Sequence, residues 1–110
     1  MAVKNGAKKI YTETEEALFS VLKSQDFCQC MDVELYEQAI VPDGHEFRYR
    51  RKTSMTRYGR NYFAKVSKTE NGEQEVTVTT QSRKVTVLLD PMWKQEVERM
   101  FGFIDMLLRR

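Results

Sequence analysis

The sequence predicts one α+β domain: an antiparallel meander sheet of five to six strands packed by a short N-terminal helix and a long C-terminal helix. Three observations carry this. An apolar stripe of helical period appears once near the start and once at the end of the chain. Between them, apolar residues recur every second position over several short runs. Turn residues separate those runs, and strands joined by tight turns pair antiparallel.

The first residues, 1–8, are small, polar and basic, and are expected to be flexible, with one domain over 9–110. Lys9-Ile10-Tyr11 reads as a short strand or a lead-in. Thr12-x-x-Glu15 has the spacing of a capping box. Leu18, Val21 and Leu22 then fall at i, i+3 and i+4, so a helix is placed over 13–24, ended by Ser24-Gln25-Asp26.

From Val33 the period becomes two. Strands are expected at 33–41 and 45–53 around Pro42-Asp43-Gly44, where Pro presets φ and Gly accepts a positive one. Hydrophobic matching favours a register with Gln38 opposite Arg48, Tyr36 opposite Arg50 and Glu34 opposite Lys52. Val33, Leu35 and Ala39 then share a face with Phe47 and Tyr49. A turn at Tyr58-Gly59-Arg60 leads to strand 61–68, with Tyr62, Ala64 and Val66 inward. Asn71-Gly72 signals a hairpin into strand 74–80, with Val76 and Val78 inward. A turn at Gln81-Ser82 precedes strand 84–89, with Val85, Val87 and Leu89 inward. Asp90 as cap and Pro91 at the first helical position open a last helix running to about Leu108. Gly102 within it suggests a close approach to the sheet.

Composition places the chain among globular domains: hydrophobic residues are 41% and charged residues 31%. No apolar run approaches the ~20 residues of a membrane helix. The lysines at the N-terminus lack a following apolar region, so a secretory signal is not expected. The expected location is cytoplasmic, with Cys28 and Cys30 reduced.

Charge is unevenly placed. Residues 12–46 carry nine acids and one lysine, whereas residues 47–60 carry six bases and no acid. This basic stretch, FRYRRKTSMTRYGR, has two readings. In the first, its arginines balance glutamates across the hairpin, each pair contributing about 0.2–1 kcal/mol. In the second, Arg48, Arg50, Arg57 and Arg60 bind an anion or nucleic acid, with Tyr58 stacking. The sequence pI of about 8.6 lies below the range usual for nucleic-acid domains, above ~9. Arg51 falls on the inward parity.

Chemistry is sparse. Cys28-x-Cys30 with the single His45 does not supply the four ligands of a structural zinc site. His45 beside Glu46 reads as an exposed turn residue, and no nucleophile elbow, phosphate loop or dinucleotide fingerprint occurs. No catalytic residue, metal or cofactor is expected. The last helix is richer in apolar groups than one stripe needs. Trp93, Val97, Met100, Phe101, Phe103 and Ile104 are therefore candidates for an apolar ligand site or for homo-oligomer contacts.

The order helix, antiparallel meander, long helix, carried by TETEEALFSVL, the Asn-Gly hairpin and DPMWKQEVERMFGFIDMLLRR, resembles the START/Bet v 1-like helix-grip domains. That resemblance implies an apolar ligand held between helix and curved sheet. Strands followed by a C-terminal helix also resemble a pleckstrin-homology-like barrel. The reading is a non-enzymatic binding or interaction module, apolar first, with an anion or nucleic-acid binder as the alternative.

Overall fold

A computed structural model describes residues 5–53, 55, 58–83 and 90–110. The described elements are β1 (Gly6–Tyr11), α1 (Glu15–Lys23), α2 (Gln25–Met31), β2 (Glu34–Val41), β3 (Gly44–Arg51), β4 (Arg60–Lys68), β5 (Gln74–Ser82) and α3 (Trp93–Leu108). The strands form one open antiparallel sheet in the order β1-β5-β4-β3-β2. It is an α+β fold, with two helices rather than one ahead of the meander. The strand expected at 84–89 lies outside the described residues.

The first strand begins at Gly6, earlier than the sequence suggested. Residues expected to be flexible are tied into the sheet edge, with Ala7 opposite Val78 and Lys9 opposite Val76. Because β1 runs to Tyr11, the chain needs residues 12–14 to turn the corner. The cap is therefore Thr14, whose Oγ1 accepts from the Ala17 amide at 3.1 Å, and not Thr12.

Ser24 does not end the helical region. Its amide donates to the Val21 carbonyl, closing α1, while its Oγ accepts from the Phe27 amide and opens α2. Asp32, at φ 58°, ends α2 in the left-handed region, and the Val33 amide returns to the Cys28 carbonyl. The cysteines are thus helical, with Cys28 buried and both thiols free. Burial pushes the Cys28 thiol pKa up.

The β2–β3 register differs from the expected one. Val41 pairs with Gly44 around a two-residue loop, and a bulge between Leu35 and Glu37 takes up one residue. Glu37 then faces Arg48 and Glu34 faces Arg50. Leu35 still pairs with Tyr49 on the helix side, but Ala39 turns to the other face, opposite Glu46. The Asn71-Gly72 hairpin is present with a longer loop, in which Gly72 alone takes positive φ, 83°. Gln81 and Ser82 continue β5 rather than turning.

All three described helices pack on one sheet face. Phe47, Tyr49, Tyr62, Ala64, Val66, Val76 and Val78 meet Leu18, Leu22, Phe27, Met31, Val97, Met100 and Ile104 there. Tyr49 and Tyr62 are enclosed by this core, and Tyr49 donates to the Leu22 carbonyl at 2.6 Å, joining β3 to α1. At the far end of α3, Asp105 accepts from Tyr11 (2.7 Å) and from Lys9, which fastens β1 to the helix. Gly102 makes no close approach: it is exposed, and a Cβ there would meet nothing within 4 Å.

Candidate functional site

The buried charged side chains among the described residues gather at one end of this apolar core, where β3 ends, β4 begins and α3 begins. Alternation along the strands turns Arg51 and Arg60 toward the helices, with Tyr62, and the register sets the two arginines directly opposite each other. They are 8% and 4% exposed. Like charges so placed repel, so carboxylates must come from elsewhere.

They come from α3 and the residue that precedes its first turn. Glu96 lies within the apolar stripe of α3, three residues after Trp93 and four before Met100. Its Oε2 accepts from Arg51 Nη1 at 2.9 Å and from the Tyr62 hydroxyl at 3.1 Å, and lies 3.7 Å from Arg60 Nε. Asp90 takes Arg60 in a two-pronged pair, at 2.7 and 2.9 Å. The same carboxylate accepts from the Ser82 and Met92 amides. Asp90 was expected to cap a helix beginning at Pro91. Instead α3 begins at Trp93, and the Asp90 carboxylate divides between Arg60 and the Met92 amide that leads into the helix.

Two further arginines surround this core of four charges. Arg99 reaches Glu96 Oε1 at 3.3 Å and the Cys30 carbonyl at 3.2 Å. Arg83 donates to the Arg51 carbonyl at 2.6 Å, and its guanidinium lies against Gly59, where any Cβ would overlap it. Three guanidiniums, those of Arg51, Arg60 and Arg99, therefore meet two carboxylates, and Arg83 adds a fourth cation beside them. Among the described residues, Arg51 Nε and Arg60 Nε are buried and make no hydrogen bond, although Arg60 Nε lies within ion-pair range of Glu96.

The surroundings set the protonation states. Arg60's hydrogen bonds and positive charge hold the Asp90 carboxyl below its ordinary value, against the opposing effect of burial. Burial alone would raise Glu96, but hydrogen bonds from Arg51 and Tyr62 and the charges of Arg51 and Arg99 outweigh it, so its pKa is lowered. Tyr62 is pushed up to about 12 by burial and by the Glu96 charge. It is a protonated donor at neutral pH, not a base.

The residues expected for apolar recognition divide. Val97, Met100 and Ile104 are core residues against the sheet, and Phe101 and Phe103 pack on its margin. Trp93 is half-buried in the first turn of α3, and its amide donates to the Asp90 carbonyl. The basic list divides as well. Arg60 is not a surface residue, because its inward parity carries it beneath α3. Arg48 and Arg50 lie on the face turned away from the helices. Arg57 lies outside the described residues, and Tyr58 is half-exposed beside Gly59.

On that face the cations have carboxylate or aromatic neighbours. Arg48 pairs with Glu46 and Glu37, Lys65 with Asp43 at 3.0 Å, and Lys8 with Glu75 at 3.6 Å. Arg50 stacks over Tyr36 at 5.0 Å and stands opposite Glu34. Among the described residues of this face, these four cations meet five carboxylates.

His45 is a half-buried strand residue, not an exposed turn. Its ring stands edge-on to Phe19 at 4.9 Å, while Glu46 points to the opposite face, which separates the two. Arg51, Glu96, Asp90 and Tyr62 were missing from the sequence-derived site. One signal was legible: an acid and an arginine at positions whose periodicity turns them inward. No protein-family model matches the chain, and no curated protein matches its sequence.

Proposed function

We propose that this chain is a non-catalytic binding module for a small acid with an apolar portion, taken where Arg51 and Arg60 meet the first turn of α3, the turn that carries Trp93. One observation carries the reading: two buried, directly opposed guanidiniums, each with an Nε–H that has no hydrogen-bond partner among the described residues, in a cluster of three arginines and two carboxylates. An anion held there would be desolvated and charge-paired, the setting in which arginine recognition of carboxylates is strongest. Trp93, half-buried in the first turn of α3, would supply the apolar surface. The reading unites one residue from each sequence-derived list, Trp93 and Arg60.

The element order adds support by analogy. A strand, two short helices, a meander and a long closing helix resemble the helix-grip domains, whose ligands lie between helix and sheet. The Tyr62 and Glu96 protonation states suit binding rather than acid–base chemistry at neutral pH.

Calorimetric titration with octanoate, octanol and inorganic phosphate, followed also by Trp93 fluorescence, tests this. The expected result is binding of octanoate with a change in Trp93 emission, weaker binding of the other two, and loss of octanoate binding in Arg60→Met. Equal binding of octanol and octanoate, or no binding of octanoate, would remove the reading.

A further inference from the structure

We propose that the outer edge of β2 is a self-association surface, on which two copies of this chain pair their β2 strands antiparallel about a two-fold axis through Ala39. The inference is independent of the ligand reading above.

The two edges of the sheet differ in how they are guarded. The β1 edge carries Lys8 and Lys9, and lysine is a common device against edge-to-edge pairing. On β2 the bulge lies upstream, at Tyr36. From Glu37 to Val41 the strand holds no lysine, proline or bulge. Within this unguarded stretch, Ile40 is 83% exposed. It lies on the helix side opposite His45, against which Phe19 of α1 is stacked, yet α1 leaves it uncovered.

The hairpin decides which backbone groups face outward. Val41 and Gly44 close a two-residue loop, so Val41, Ala39 and Glu37 turn their backbone groups toward β3. Gln38 and Ile40 turn theirs to the outer edge, which no described strand covers. A two-fold at Ala39 sets each Gln38 opposite Ile40 of the second copy, and each such pair can exchange both N–H···O bonds. The same axis sets Glu37 opposite Val41 of the second copy, so no like charges face each other. The two Ile40 side chains become diagonal neighbours, and the two five-stranded sheets join into one.

Sedimentation equilibrium across a wide range of protein concentration tests this, with three variants. The expected result is a concentration-dependent dimer whose dissociation constant rises at least about tenfold in Ile40→Lys. Gln38→Pro should do the same without unfolding the monomer, because its N–H faces the free edge, where proline is tolerated. Met106→Lys, on the exposed side of α3, should leave the dimer unchanged. A monomer at every concentration, a dimer insensitive to both β2 variants, or a dimer abolished by Met106→Lys would overturn the proposal.

Discussion

Arg51 and Arg60 stand opposite each other on adjacent strands, and one oxygen, Glu96 Oε2, lies 2.9 Å from Arg51 Nη1 and 3.7 Å from Arg60 Nε. The first turn of α3 is thus fastened to the sheet by a carboxylate shared between two buried cations. The arrangement joins elements distant in sequence, and its parts depend on one another.

Removing that carboxylate should be severe. Glu96→Gln keeps the shape of the side chain but leaves two guanidiniums facing each other without their shared anion. A loss of about 3–5 kcal/mol is expected, the range for breaking a buried pair from one side. Urea denaturation followed by far-UV circular dichroism measures it. A loss below about 1 kcal/mol would mean that water reaches the cluster and screens it.

The Arg60–Asp90 pair should show coupling. A double-mutant cycle with Arg60→Met and Asp90→Asn is expected to give an interaction of roughly 0.5–3 kcal/mol, because each single change strands its partner's charge. Additive losses would show that Asp90 acts mainly through the Ser82 and Met92 amides.

Stability should fall in acid. Both carboxyl groups have folded-state pKa values below their ordinary 3.8 and 4.5. A depressed carboxyl contributes stability that is full above the unfolded value and is lost as pH falls through the folded one. The urea midpoint is therefore expected to show no contribution from these groups between pH 7 and about 5.5, and to drop progressively below about 4.5. In Glu96→Gln the acid fall should be shallower. An equal fall in that variant would assign the acid sensitivity to other groups.

Two glycines should respond in opposite directions. A Cβ at Gly44 would overlap the Val66 carbonyl, a backbone atom that cannot swing aside. Gly44→Ala should therefore cost about 1–3 kcal/mol, the usual range for overpacking. Gly102→Ala meets open space on an exposed helix position and should gain about 1 kcal/mol. Thermal denaturation of both variants reads the contrast. A stabilised Gly44→Ala would show that the hairpin can shift away from β4.

Much of the architecture was legible because it rests on local patterns. The stripe of Leu18 and Leu22, the alternation of Tyr62, Ala64 and Val66, and the apolar face of α3 repeat at the periods of helix and strand. Those periods exist before any tertiary contact forms. The α2 helix escaped notice because Ser24 serves as both a stop and a start, and one short turn pair leaves little periodic signal. The β2–β3 register differs from expectation because the loop holds two residues rather than three, and the bulge at Tyr36 sets Leu35 and Ala39 on opposite faces.

The candidate site was only half legible for a related reason. Parity alone placed Arg51 inward, but nothing local brings Asp90 to Arg60 or Glu96 to both arginines. Their sequence separations, 30 and more residues, are closed by the sheet register and the docking of α3. The sequence by itself determined the α+β class, most of the strands, the closing helix and which faces are apolar. The tertiary structure decided which charges are buried and with whom they pair, because burial depends on what packs above a residue, and a residue's neighbours in sequence do not specify that.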